Sequence, residues 1–318
     1  MPEWLYEPGI GETRAALIEE GEIVEAWIEL DDVMRAGSVL AARLASNGSN
    51  GRNAVAIDDS GQEYLLPRGA SDVTEGASIM IEITREEIPG NEPWKRPLAR
   101  ISDEQPQSAK RSAGRAITLP SPRDELGEAG WNDLIDQARN GNVGFAGGEL
   151  RLSVTPAMTL IDVDGSLAPD ELVVRGATEA AKAIRRLGIG GSIGIDLPTI
   201  CGKAARQQAA AAIDEHLSQP FERTAVNGFG FVQIVRPRRR ASLLELAQDR
   251  AAFEARALLR RAAFEPAGAK ALVAHPEIIT VLGGRDAWLA ALARQVGGDI
   301  GLRGDASLPI SGAYVENR

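Results

Sequence analysis

Apolar and polar residues alternate along much of the first hundred positions, and the period of two predicts strands. GETRAALIEEGEIVEAWIEL (11–30) carries such stretches on either side of a Glu-Gly pair, which predicts a hairpin. From residue 37 the runs are shorter: GSVLAARLAS, AVAID, EYLLP and SIMIEITRE, separated by NGSNGRN, DSGQ and other turn-forming segments. Short strands at this spacing suit a small closed barrel of the OB type over 37–102. SDEQPQSAKRSAGRAITLPSPRDELGEAG is polar and rich in Pro, Ser and Gly, so 103–146 reads as a linker or shortened segment, with WNDLIDQAR as a short helix.

The rhythm changes after residue 147. ELRLSV and MTLIDVD read as buried strands, ATEAAKAIRRLG as a helix stopped by Gly188, and GGSIGID as a further strand. In GKAARQQAAAAIDEHL, residues Ala205, Ala209, Ala212, Ile213 and Leu217 fall on one helical face. GFGFVQIV is another strand. RPRRRASLLELAQDRAAFEARALLRRAAF leads through a basic turn into a long helix, and RDAWLAALARQVGG, GDIGLRG and ISGAYVE predict a small α+β module. The alternation of strand and helix predicts an α/β catalytic segment over 147–245 within an α+β, multidomain chain.

Composition narrows the function classes. The 318 residues suit two or three modules. No run approaches the roughly 18 apolar residues of a membrane-spanning helix. MPEWLYEPGIGETR lacks the basic start and apolar core of a secretory signal, so a cytoplasmic protein without membrane attachment is expected. The single cysteine, Cys201, and the histidines His216 and His275 cannot build a structural zinc site within one chain. Cys201 reads as an inert small residue, and the histidines as structural. A net charge of −10 argues against coating nucleic acid by charge alone, but not against a local basic groove around an acidic centre.

The candidate chemistry lies at two strand ends. MTLIDVDG ends in Asp162 and Asp164, and GSIGID ends in Asp196, with a helix between them. A strand–helix–strand unit is a right-handed parallel crossover, so neighbouring strands would place Asp162 and Asp196 at the same sheet edge. Converging carboxylates repel each other unless a cation intervenes, and Mg²⁺ is the natural one, with Mn²⁺ a substitute. Asp164, two residues on, shares the face of Asp162 and is a further candidate ligand. Lys203 and Arg206 open the following helix, whose N-terminus attracts phosphate. Arg236, Arg238, Arg239 and Arg240 form the densest basic cluster. Against this stand simpler roles: a strand-end Asp commonly caps a turn, and a charge run is commonly a solvated face.

Through these residues the sequence resembles the ribonuclease E/G family. GGELRLSVTPAMTLIDVDG resembles the family's approach to its first metal-binding Asp, AAKAIRRLGIGGSIGID the helix and strand ending in the second, and GFGFVQIVRPRRRASL its later strand and Arg-x-Arg signature. GETRAALIEEGEIVE, the barrel segment and the last fifty residues are also similar to it. The resemblance implies a partial RNase-H-like segment (1–36) interrupted by the barrel, a DNase-I-like catalytic subdomain (147–245), and a connecting helix with a small C-terminal domain (246–318). It implies magnesium on Asp162 and Asp196, and Lys203 and Arg206 lie where the family carries a pair of basic residues; with Arg236, Arg238, Arg239 and Arg240, these are the groups expected to hold RNA. The family's Asp-x-Asn is here Asp162-Val-Asp164. The segment that would hold the family's 5′-monophosphate sensor is reduced to 103–146. LAQDRAAFEARALLRR replaces its zinc link, so any homo-oligomer would form without that zinc. The barrel's aromatics are Tyr64 and Trp94 alone.

The leading expectation is a Mg²⁺-dependent endoribonuclease that cleaves single-stranded RNA by metal-activated water, leaving 5′-phosphate and 3′-hydroxyl ends as the resemblance implies. A non-catalytic RNA-binding relative is the alternative that the missing sensor and zinc link suggest. IDVDGSL also resembles the first motif of haloacid-dehalogenase-type phosphatases, with Asp162 as nucleophile and Asp164 as acid/base. That motif usually opens its domain, and no later acidic Gly-Asp motif follows here.

Overall fold

The computed structural model describes residues 2–48, 53–89, 95–119, 121, 123–199 and 202–318. Trp94, Cys201 and the centre of the NGSNGRN turn lie outside the described residues. In chain order, strands β1 (Glu3–Pro8), β2 (Glu12–Glu19) and β3 (Glu22–Leu30) come first. Then follow β4 (Val39–Ser46), β5 (Ala54–Ile57), β6 (Glu63–Leu66), β7 (Ser78–Arg85) and β8 (Leu98–Ser102). Next come β9 (Arg115–Ala116), α1 (Glu125–Glu128) and α2 (Trp131–Asn140). The central segment contains β10 (Asn142–Phe145), β11 (Gly148–Val154), β12 (Thr159–Gly165), α3 (Pro169–Arg186) and β13 (Gly191–Asp196). It continues with α4 (Lys203–His216), β14 (Glu222–Arg223) and β15 (Phe231–Arg236). The chain ends with α5 (Leu243–Leu246), α6 (Arg250–Ala263), β16 (Lys270–Ala274), α7 (Pro276–Gly283), α8 (Asp286–Val296), β17 (Ile300–Gly304) and β18 (Tyr314–Asn317). Among the described residues, no helix is long and apolar enough to cross a membrane.

These elements form two compact units, one of residues 1–31, 113–140 and 246–318, the other of residues 32–112 and 141–245. In the first, a sheet of order β3-β2-β1-β9 pairs antiparallel except at its last step, where β9 runs parallel to β1. The β2–β3 hairpin turns through Glu20 and Gly21, both at positive φ (53° and 88°), as a two-residue primed turn requires. The same unit contains the sheet β17-β16-β18, with α6, α7 and α8 around a core that includes Leu258, Leu272, Ile278 and Leu292. Within 103–146 the short helix expected over WNDLIDQAR is α2; α1 precedes it, Leu126, Trp131 and Leu134 of the two are buried, and β10 already belongs to the next sheet. The single long helix expected after the arginines is two, because Asp249 caps α6 by accepting from the Ala252 N–H (3.2 Å) and so starts a new helix.

In the second unit, β4–β8 close into a barrel of order β4-β5-β6-β8-β7, with β6 and β8 parallel. Tyr64 lies inside it, 1% exposed, with its hydroxyl donating to Asp58 Oδ2 (2.9 Å). It is a core residue and offers no stacking surface. Residues 142–236 form a sheet of order β10-β11-β12-β13-β15-β14, in which β12 and β13 are the parallel pair. Helix α3 covers one side of this sheet. Gly176 on α3 lies so close to Val163 that a Cβ there would come within 2.4 Å of its Cγ1. Because side chains alternate along a strand, burial of Ile161 and Val163 beneath α3 sends Leu160, Asp162 and Asp164 to the opposite side, where all three are exposed.

Candidate functional site

The open side of the six-stranded sheet carries the candidate chemistry. Asp162 and Asp196 are direct register partners across the parallel pair β12–β13. Partners in register point the same way, so both exposed carboxylates leave the sheet side by side. Neither is in a salt bridge among the described residues. Burial pushes the Asp162 carboxyl upward, and the charges of Asp164 and Asp196 add to this, against a smaller pull from Arg151.

Asp164 has a different environment. It is the register partner of Glu149 on β11, and its Oδ2 lies 3.4 Å from Arg151 Nη1. Arg151 is the register partner of Asp162 and also pairs with Glu149 (2.8 Å). No group of three or more His, Cys, Asp or Glu side chains among the described residues is arranged to hold a metal ion. Asp164, the further candidate ligand, has its carboxylate beside Arg151. The remaining pair, two acceptor-only groups without a salt-bridged cation, suits Mg²⁺, which commonly takes one or two carboxylates and completes its shell with water and phosphate oxygens.

Lys203 and Arg206 sit in the first turn of α4, which follows the carboxyl end of β13 and has Gly202 at its N-cap. Lys203 is exposed and Arg206 partly so. The arginines 236–240 are elsewhere. Across the antiparallel pair β13–β15, Asp196 faces Phe231 whereas Arg236 faces Gly191. That offset of five residues puts the cluster about 17 Å from Asp196 along the strand. There Arg236 Nη1 donates to the Ile189 carbonyl (3.1 Å), Arg238 pairs with Glu245, and Arg240 Nε lies 3.8 Å from Glu86 Oε1. Glu245 in turn accepts from the Ser242 N–H and hydroxyl (2.9 Å each). Burial and the neighbouring Arg238 charge pull the Arg85 guanidinium of β7 below its ordinary range, against Glu245. Arg239 is the exposed member of the group. The structure thus brings Asp162, Asp196 and the start of α4 to one end of the sheet, and ties most of the arginine cluster into the other.

Reading the sequence for charge missed two aromatics beside Asp196. Phe231 is its register partner, and Gly194 leaves room for the ring: a Cβ there would lie 2.6 Å from Phe231 Cζ and 3.0 Å from Leu160 Cδ2. Phe229, in the turn before β15, is 79% exposed. The GFGF spacing was the available signal. Both histidines are accounted for locally. His275 caps α7, its Nδ1 accepting from the Glu277 N–H (3.4 Å), and His216 is the last residue of α4.

A cavity of about 340 Å³ in the first unit is lined by Trp131, Phe253, Phe264, Arg14, Asp124 and Arg260, among others. Its guanidinium groups are already engaged: Arg14 pairs with Glu7 (2.8 Å) and Arg260 with Glu7 (2.8 Å) and Asp124 (2.5 Å). Its charged lining is thus paired internally. No protein-family model matches the chain, and no curated protein matches it.

Proposed function

We propose that this protein is a divalent-metal-dependent endoribonuclease that acts on single-stranded RNA. The observation that carries the reading is the register pairing of Asp162 with Asp196 on the open side of the sheet. These two carboxylates would hold Mg²⁺, with Mn²⁺ as a substitute. Such an ion, when bound, supplies an activated water and charge neutralisation at a phosphodiester. Lys203 and the N-terminus of α4 would hold a backbone phosphate on the same edge. Arg151 would keep Asp164 turned aside and temper the repulsion at Asp162.

The sequence resemblance to the ribonuclease E/G family supports the same reading, and the topology is compatible with its finer parts. The barrel order, with its parallel β6–β8 pair, supports an OB-type barrel. Three antiparallel strands with β9 added parallel to β1 support an RNase-H-like assignment for the opening residues. The mixed sheet of 142–236 would then be the DNase-I-like catalytic part.

The test is cleavage of an unstructured RNA in Mg²⁺ and in EDTA. Asp162→Asn and Asp196→Asn should each abolish metal-dependent cleavage while circular dichroism stays unchanged. Cleavage undiminished in both variants rejects the assignment. A non-catalytic RNA-binding role is the second reading, favoured by Asp164 standing where the family that the sequence resembles has Asn. RNA binding without turnover in any divalent metal would select it.

A further inference from the structure

Phe229 is the most exposed of the large hydrophobic side chains named among the described residues, at 79%. Its backbone is nevertheless held from several sides. Asn227 Oδ1 accepts from the N–H groups of Phe229 (2.9 Å) and Phe231 (3.0 Å), and the Asn227 carbonyl accepts from Gly230 (3.2 Å). The Thr199 hydroxyl donates to the Phe229 carbonyl (3.1 Å), and the Leu197 N–H to that of Gly230 (3.2 Å). Gly230 is at φ +91°, and a Cβ there would come within 2.2 Å of the Leu197 carbonyl oxygen, so the turn closes in this way only with glycine. Hydrogen bonds from both sides of the sheet edge therefore fix a backbone that presents an aromatic ring to water.

The place of this turn gives the ring a use. Phe231 is the register partner of Asp196, so the turn that precedes it lies at the carboxylate end of β13. Phe231 itself, partly exposed, spreads over Gly194 on the open side of the sheet. We propose that Phe229, backed by Phe231, is a stacking platform for one nucleobase of the strand bound beside Asp162 and Asp196. This inference rests on the single-stranded RNA reading and adds to it a residue that positions the strand. A flat π-face on a fixed backbone suits any base and loses little freedom on binding. A protein partner covering Phe229 would also have to desolvate the neighbouring carboxylates, which is costly without paired cations. The barrel does not supply this platform through Tyr64, which is buried.

The experiment uses the full chain and a short labelled single-stranded RNA, with anisotropy read in EDTA and in Mg²⁺, and a series in which one abasic ribose is moved along the strand. Phe229→Ala should weaken binding of the intact RNA by ~5- to 150-fold, which corresponds to the ~1–3 kcal/mol of a base–aromatic stack. In the unaltered protein one abasic position should cost a similar factor, and in Phe229→Ala that position should cost nothing more. Phe229→Tyr should restore both the affinity and the sensitivity. Equal binding by wild type and Phe229→Ala overturns the platform and leaves the RNA reading standing. No RNA binding by either overturns both. Loss of self-association in Phe229→Ala, with RNA binding unchanged, makes the ring a protein contact and overturns the proposal.

Discussion

Asp196 faces Phe231 across β13–β15, and Arg236 faces Gly191 at the other end of the same pair. One strand therefore separates the carboxylate edge from the start of the arginine run. Arg238, paired with Glu245, should act chiefly as a structural residue. Charge-assisted hydrogen bonds of this kind contribute about 1.5–3 kcal/mol, less where solvent screens them. Arg238→Ala and Glu245→Gln should each destabilise the protein by about 1–2 kcal/mol in urea titration. The affinity of the folded protein for RNA should change little. A large loss of RNA affinity with unchanged stability would return this arginine to the binding surface.

Arg260 and Glu7 form a buried pair of another order. Glu7 is fully buried and also bonds Arg14, while Arg260 bonds both Glu7 and Asp124. Removing one partner strands the others without compensation, which commonly costs about 3–5 kcal/mol. Arg260→Ala should therefore lower the urea midpoint severely. A loss below about 1 kcal/mol would show that the network contributes little.

Asp124 provides a pH signature. Burial raises its carboxyl, but the hydrogen bonds and charge of Arg260, the Gly127 N–H and the Arg14 charge outweigh this and hold it below the ordinary carboxylate range. A depressed folded-state value contributes stability that is fully present above the unfolded value of about 3.9 and is lost as the pH falls through the folded value. The stability deficit of Asp124→Asn should therefore be largest near neutral pH and shrink in acid. Urea midpoints measured from about pH 7 down to about pH 2 check this. A deficit that does not change with pH would contradict it.

Asp58, in the turn after β5, accepts a hydrogen bond from the hydroxyl of the buried Tyr64. Burial raises the phenol, and the hydrogen bond and charge of Asp58 raise it further. Tyr64→Phe should cost about 1 kcal/mol, because one hydrogen bond to a charged group is lost while the ring still fills the core. Thermal denaturation measures it, and an unchanged midpoint would show that water replaces the bond.

Much of the six-stranded sheet was legible in the sequence because local periodicity dictated it. Ala205, Ala209, Ala212 and Ile213 are buried along α4 as their spacing requires, and the crossover between the IDVD and IGID strands places Asp162 beside Asp196. What was not legible depends on partners distant in sequence. Glu86 is far from Arg240 along the chain and Glu7 lies 253 positions from Arg260, while Glu245 is only 7 residues from Arg238, at a spacing that marks no pairing by itself. A run of arginines looks the same whether it meets solvent, phosphate or an internal carboxylate. The exposed Phe229 was hidden for the opposite reason, since an apolar residue beside a strand reads as core.

The shared-cation claim is tested most directly by counting bound Mn²⁺ with electron paramagnetic resonance. One Mn²⁺ per chain should bind the unaltered protein and Asp164→Asn, and binding should be lost in Asp162→Asn and in Asp196→Asn. Undiminished Mn²⁺ binding in both of those variants would contradict the account.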